Sequence, residues 1–395
     1  MPHLKVTPFD ISRVEQLCND EDILFVAHSS NKNDILIALL YKNEEFLLQL
    51  KIETKETLLK YDKVTRPLNV NLLKEAIAKV AKLLKLEILS SNIAISSTKI
   101  SPSNTYLKKI EDFENIVYPK EKVSVEVGFG SGKHLLYQAI KNPDTLFIGL
   151  EIHTPSAQQV LKQIALQNLD NIWVVNYDAR LFLEMLPSNL CDKIFVHFPV
   201  PWDKKPQRRV ISKSFLQESN RVLRQGGQLE LRTDSNNYFW YALETFFNQD
   251  KIEVEVRKNE ALEVTSKYEA RWLRQEKDIY DVYVKSKEIS PITHNDIVFD
   301  FNGLKYTLNI EETLSKEALV FKTYFIHFER VYKILSRGIL IKCAFGSFDR
   351  PEHKYILLDE KGCRYFSASP VKTRVNLEAH QMLCKQFTPK ETTNV

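Results

Sequence analysis

Residues 122–132 read Lys-Val-Ser-Val-Glu-Val-Gly-Phe-Gly-Ser-Gly, an apolar run that breaks into three alternating glycines, Gly128, Gly130 and Gly132. A glycine-rich turn between a strand and a helix is where open α/β sheets hold nucleotide-like ligands, because backbone without a Cβ lets the ligand come close. The spacing is Gly-x-Gly-x-Gly. A dinucleotide fingerprint requires its third glycine where Lys133 stands, and a phosphate-binding loop requires Ser or Thr where His134 stands, so both are excluded.

Two further apolar runs follow, each closed by an acid. Residues 145–150 end at Glu151, and residues 171–177 end at Asp178. A carboxylate at the end of the second strand is placed to accept from ribose hydroxyls, and a short acid after the third to accept from an adenine amino group. With Glu126, three acids line one edge of the expected sheet. Such an edge favours a ligand of positive character over a pyrophosphate. S-adenosylmethionine, with its sulfonium and ammonium, fits. The bland reading is a plain loop with solvated caps. Three acids closing three successive units argue against it.

The wider pattern agrees. Strands are expected at 122–127, 145–150, 171–177, 192–198, 227–233, 251–258 and 279–285, with helices at 156–169 and 211–224 among them. That alternation predicts an α/β, doubly wound, mostly parallel seven-stranded Rossmann-like core. Residues 1–110 read as an α+β extension, with strands at Asp22–His28, Ile35–Tyr41 and Glu45–Lys51. A helix over 71–86 follows, whose lysines are a solvated face or an RNA-phosphate stripe. Ser-Pro-Ser-Asn at 101–104 marks a linker. Residues 289–395 read as a β-rich α+β domain. It holds a hairpin at Asn302-Gly303, strands at 339–345 and 354–358, and a helix at 375–387; its aromatics read as core. Three pieces are thus expected: 1–110, 111–288 and 289–395.

Residues 198–209, Phe-Pro-Val-Pro-Trp-Asp-Lys-Lys-Pro-Gln-Arg-Arg, follow the fourth strand. Two prolines stiffen this loop, Trp202 offers a flat face, and Lys204, Lys205, Arg208 and Arg209 gather positive charge. From Pro201 to Arg224 there are seven Lys or Arg against the acids Asp203 and Glu218. Cations beside a small-ligand site point to RNA or DNA; the alternative is a solvated loop. The chain's net charge is only +4, so nucleic-acid affinity has to be local. Asp234 is placed to cap the next helix, to accept from a guanine's N1 and amino edge, or to do both. Lys267, Glu269 and Arg271 either face substrate or lie on a polar surface.

The five cysteines are scattered without Cys-x-x-Cys. This argues against a disulfide framework or zinc site and for a reducing, cytoplasmic setting. No apolar run approaches membrane-spanning length, so neither metal nor membrane is expected.

Taken together, these stretches resemble the bacterial tRNA (guanine-N7)-methyltransferase family over about residues 120–288. The resemblance rests on 126–132, Phe-Ile-Gly-Leu-Glu-Ile-His (147–153), Asp178-Ala179, the Phe-Pro-Val-Pro-Trp-Asp-Lys-Lys block (198–205), Gly226-Gly227, Thr233-Asp234 and Ser-Lys-Tyr-Glu (266–269). It implies a class I methyltransferase fold, S-adenosylmethionine as donor and a guanine in the tRNA variable loop as acceptor. It also implies cofactor binding by Glu126, the three glycines, Glu151, Asp178 and Ala179. Lys204 and Asp234 are implied to bind substrate, with Ser266–Glu269 near it. The family's usual Asp between the two prolines is here Val200, and Ser266 stands for the usual Thr. Asp203 is the candidate to take over a catalytic role. A non-catalytic RNA-binding protein with a relict pocket is one alternative reading. An exocyclic-amine methyltransferase is another, although the polar residue and adjacent prolines it needs are missing from 198–202.

Overall fold

The computed structural model describes residues 2–30, 33–94, 105–249, 251–260, 278–292, 297–304, 310–334 and 338–387. The chain divides into two compact units, one made of Met1–Lys99 with Ile297–Val395, the other of Ile100–Asp296.

The second unit is built on an eight-stranded sheet in the order 253–258, 280–285, 223–233, 191–197, 122–127, 145–150, 172–175, 107–108. The strands from 223–233 through 107–108 are parallel, and the two at the other end are antiparallel. The sequence explains the layering. Lys122–Val127 and Thr145–Leu150 are buried at every position after the first, and Ile172–Val175 at all four, as central parallel strands covered on both faces must be. Glu253–Lys258 alternates Glu and Val, is mostly exposed and forms the sheet edge. Helices Lys133–Lys141, Thr154–Leu166, Ala179–Met185, Lys213–Val222 and Asn236–Phe247 lie between strands. Three of them start on a side-chain cap: Asp178 for Ala179–Met185, Ser212 for Lys213–Val222 and Ser235 for Asn236–Phe247. The expected doubly wound core is therefore present. It gains the short strand Leu107–Lys108, which is too brief to carry a periodic signal.

The first unit departs from expectation. Its eleven-stranded sheet runs 362–366, 352–359, 338–346, 325–334, 23–29, 34–41, 44–52, 57–61, 3–6, 88–91, with Leu319–Val320 pairing onto 325–334. Strands of both terminal segments belong to it, and the seam pairs Tyr332 with Ser29, Lys333 with His28 and Ile334 with Ala27. The expected separate pieces 1–110 and 289–395 are thus one body interrupted by the other unit. An open strand edge on either segment alone would expose unpaired amides and carbonyls, and the seam satisfies both. Helix Val70–Leu83 packs Leu73, Ala76, Ile77 and Val80 into one core, and helix Arg374–Phe387 packs Ala379, Leu383 and Phe387 into another. Asn302 and Gly303 do turn, both at positive φ. The residues before them form no strand: Phe299 and Phe301 pack edge-on to His380 instead. Tyr306 lies outside the described residues. No helix among the described residues is long and apolar enough to cross a membrane.

Candidate active site

The glycine turn joins the strand Lys122–Val127 to the helix Lys133–Lys141. All three glycines take positive φ, +70°, +53° and +72°, where an L side chain costs roughly 1–2 kcal/mol. The amide of Gly128 donates to the Leu150 carbonyl at 2.8 Å, which ties the turn to the end of the second strand. A Cβ on Gly128 would meet nothing within 4 Å, and one on Gly130 only the Gly128 carbonyl at 4.0 Å. This side of the turn is bare backbone with room for a ligand. Gly132 serves packing instead, since a Cβ there would stand 2.2 Å from Val160 Cγ2. Gly132→Ala is expected to destabilise the protein by about 2–4 kcal/mol, from left-handed strain and overpacking together. A thermal melt reads this, and Val160→Ala in the same chain should recover part of it. A double variant as unstable as the single would reject the packing account.

Glu151 closes the second strand and supports the turn from across it. One carboxylate oxygen accepts from the Gly130 amide at 2.9 Å and the other from the His153 amide at 2.8 Å. The Asn176 side-chain amide donates to the Glu151 carbonyl. Asp178 follows the third strand, caps the helix that opens with Ala179 by accepting from the Arg180 amide at 2.9 Å, and pairs with the Arg180 guanidinium at 2.6 Å. Glu151 and Asp178 thus sit at the carboxyl ends of neighbouring parallel strands, beside a turn of open backbone. That set of groups fits S-adenosylmethionine: carboxylates to accept from hydroxyls and amines, and bare backbone for close approach.

Glu126 is placed differently from expectation. It is 3% exposed, and its carboxylate bonds His134 Nδ1 at 2.9 Å. The His134 ring lies 4.4 Å from the His197 ring, and His197 Nε2 meets Glu230 Oε1 at 2.9 Å. Burial pushes the Glu230 carboxyl up, but the hydrogen bond and charge of His197 outweigh it and hold the group below its usual range. Two imidazole–carboxylate pairs therefore meet beside the turn. They link the first residues of the turn's helix to the strand that leads into the loop 198–209. Sequence reading missed His134, His197, Glu230 and Asn176. The only local signal was a histidine directly after Gly132-Lys133 and another directly before Phe198-Pro199.

The loop after strand Cys191–His197 holds Phe198 and Trp202 at φ +49° and +46°, conformations that cost of order 1–3 kcal/mol each and persist only where surroundings impose them. The Phe198 amide donates to the Arg232 carbonyl at 2.7 Å on the neighbouring strand, and Arg209 braces the part of the loop around Trp202. It is 7% exposed, donates to the Pro201 carbonyl at 2.7 Å and pairs with Asp203 at 3.3 Å. Its guanidinium lies 4.3 Å from the Tyr241 ring centre and 5.4 Å from that of Tyr238. Arg209 was expected on the phosphate-binding surface, and its burial makes it the loop's internal strut. Lys204, Lys205 and Arg208 stay exposed, with Arg208 over the Trp202 ring at 5.1 Å. Asp234 is half-buried at the end of strand Leu223–Thr233. It does not cap the next helix, because Ser235 does. Ser266, Lys267, Glu269 and Arg271 lie outside the described residues.

Residues 120–282 match the family model described as "Putative methyltransferase". A tRNA (guanine-N(7)-)-methyltransferase from Wolinella succinogenes is 38% identical over 97% of this chain and 99% of its own. The Helicobacter pylori protein of the same name is 37% identical over 97% and 98%. That from Campylobacter jejuni strain 81-176 is 37% identical over 96% of both. Among solved structures, a SAM-dependent methyltransferase from Aquifex aeolicus is 15% identical, with a TM-score of 0.30, and covers 45% of this chain and 87% of its own. The alignments to the full-length relatives run through both terminal segments, which the resemblance over 120–288 had left outside. With that identity over nearly the whole of both chains, this protein belongs to the tRNA (guanine-N(7)-)-methyltransferase family.

Proposed function

We propose that this protein transfers the methyl group of S-adenosylmethionine to N7 of a guanine in the variable loop of cytoplasmic tRNA. The observation that carries the reading is the bare-backbone turn at Gly128 and Gly130 facing the Glu151 carboxylate, 2.9 Å from the Gly130 amide, in a chain alike over nearly its whole length to relatives of that name. The donor supplies a methyl carbon made electrophilic by its sulfonium sulfur. Guanine N7 carries a free lone pair, so the N–C bond forms as the C–S bond breaks, the electron pair leaves with sulfur, and no proton has to move. The protein's work is then to align the two partners and to balance charge.

In this reading Glu151 accepts from the donor's ribose and Asp178 with Ala179 faces its adenine. Glu126 acts from behind, fixing the turn's helix through His134. Lys204, Lys205 and Arg208 meet phosphates, and Asp234 accepts from the guanine edge. Val200, 60% exposed, carries no charge, so the loop's carboxylate is Asp203. The intact edge of Glu151 and Asp178 supports an enzyme over a relict pocket, since an RNA-binding surface has no need of acids there.

Purified protein incubated with unmodified tRNA and labelled donor should place the label in N7-methylguanosine, read by nucleoside digestion and mass mapping. Label in another nucleoside, or none with donor bound, would overturn this assignment.

A further inference from the structure

The first unit carries a groove that the methyl-transfer site does not use. Strands 362–366 and 44–52 stand six places apart in the sheet order. Even so, Arg364 pairs with Glu45 at 2.6 Å and the Phe366 ring lies 5.5 Å from that of Phe25. The sheet therefore curls. Its inner face has an apolar floor that includes Leu36, Leu47, Leu357 and Phe366. Beyond that floor opens a cavity of about 880 Å³.

Its lining is charged unevenly. Lys5, Lys51, Lys60, Lys63, Arg330 and Lys342 line it, against the carboxylates Asp34, Asp62 and Glu329. All three acids are already engaged: Asp34 with Arg330, Glu329 with Lys342 at 2.9 Å, and Asp62 with the Tyr355 hydroxyl at 3.1 Å and the Val64 amide at 2.8 Å. Lys5 and Lys51 lean on Glu56 and Glu53 at the rim in well-exposed pairs, which are worth little and exchange readily for another anion. Lys60 and Lys63 make no ion pair among the described residues. The cations also stand on a lattice. Lys5 and Lys51 flank Leu58 across three strands, and Lys60 stands two residues along from Leu58 on the same face. Strands lie roughly 5 Å apart, and same-face neighbours roughly 7 Å apart along a strand. A repeating anion matches such an array better than a single phosphate does.

We infer that this groove binds the sugar–phosphate backbone of the tRNA substrate, as a second contact remote in sequence from the methyl-transfer loop. The inference rests on tRNA being the substrate. A second weak contact on the same chain raises affinity through effective concentration, without changing the chemistry at the first.

The test is the full-length Lys60→Glu, Lys63→Glu double variant. The expected result is a KM for tRNA raised roughly ten-fold and a salt dependence of log KM shallower by about 1.5. Turnover at saturating tRNA, donor affinity and melting temperature should hold. Lys60→Gln with Lys63→Gln should show a smaller change in the same direction. Unchanged KM and salt slope would overturn the inference. So would calorimetry in which wild-type protein binds ATP, the variant does not, and the KM for tRNA is unmoved; that result would make the groove a small-nucleotide site. Wild-type protein that fails to methylate tRNA at all would instead sink the functional assignment, and direct tRNA binding by the two proteins would still judge the groove.

Discussion

Glu151→Ala should weaken S-adenosylmethionine binding by roughly two to three orders of magnitude in calorimetry, while tRNA binding without donor stays within about three-fold. Glu151 is placed for two tasks. Its carboxylate accepts the Gly130 amide at 2.9 Å and the His153 amide at 2.8 Å, which fixes the turn, and under the proposed function it also accepts from the donor's ribose. Hydrogen bonds to a charged group contribute about 1.5–3 kcal/mol each. Losing the ribose bonds and loosening the turn together correspond to the stated factor, at about 1.4 kcal/mol per decade. Glu151→Gln keeps one acceptor and should recover part of the loss. Donor affinity within three-fold of wild type in the alanine variant would remove Glu151 from the site and, with it, the argument for where the donor lies.

The parts of this site that could be read from sequence are those fixed by local backbone. The turn at 128–132 announces itself because three positive-φ positions in five residues call for glycine. The strands Lys122–Val127 and Thr145–Leu150 were legible to the residue because central strands of a parallel sheet are apolar on both faces. Side-chain partnerships were not legible. Glu126 looks like Glu151 in sequence, each an acid at or near the end of an apolar run. Only the packing of helix Lys133–Lys141 onto the sheet puts His134 on one of them. The terminal segments show the same limit at larger scale: Arg330 and Asp34, 296 residues apart, are partners in one sheet, and no periodicity within either segment could have joined them.

Arg209 carries the second large expected effect, and it too depends on packing. Four cations in six residues looked equivalent in sequence. The helix Asn236–Phe247 brings Tyr238 and Tyr241 against one of them, which leaves Lys204, Lys205 and Arg208 at the surface and Arg209 inside. Arg209→Ala should lower kcat/KM for tRNA by roughly 100- to 1,000-fold, with donor affinity little changed. The Pro201 carbonyl loses its donor and Asp203 loses its partner, so the segment around Trp202 is free to leave its strained backbone. A shift of about 1 Å in a substrate-positioning loop already costs of order 100-fold. Arg209→Lys keeps the charge but loses the planar fork and the stacking, so it should fall between the two. Asp203→Ala separates the strut from catalysis. The Arg209–Asp203 pair is 53% exposed on the aspartate side, so its loss as a mere tether should cost less than about ten-fold, whereas a carboxylate that stabilises the charge arriving on guanine should cost 100-fold or more in kcat. Unchanged turnover in Asp203→Ala would remove that side chain from the mechanism. A kcat/KM for Arg209→Ala within ten-fold of wild type would mean that the prolines, not the buried guanidinium, hold the loop.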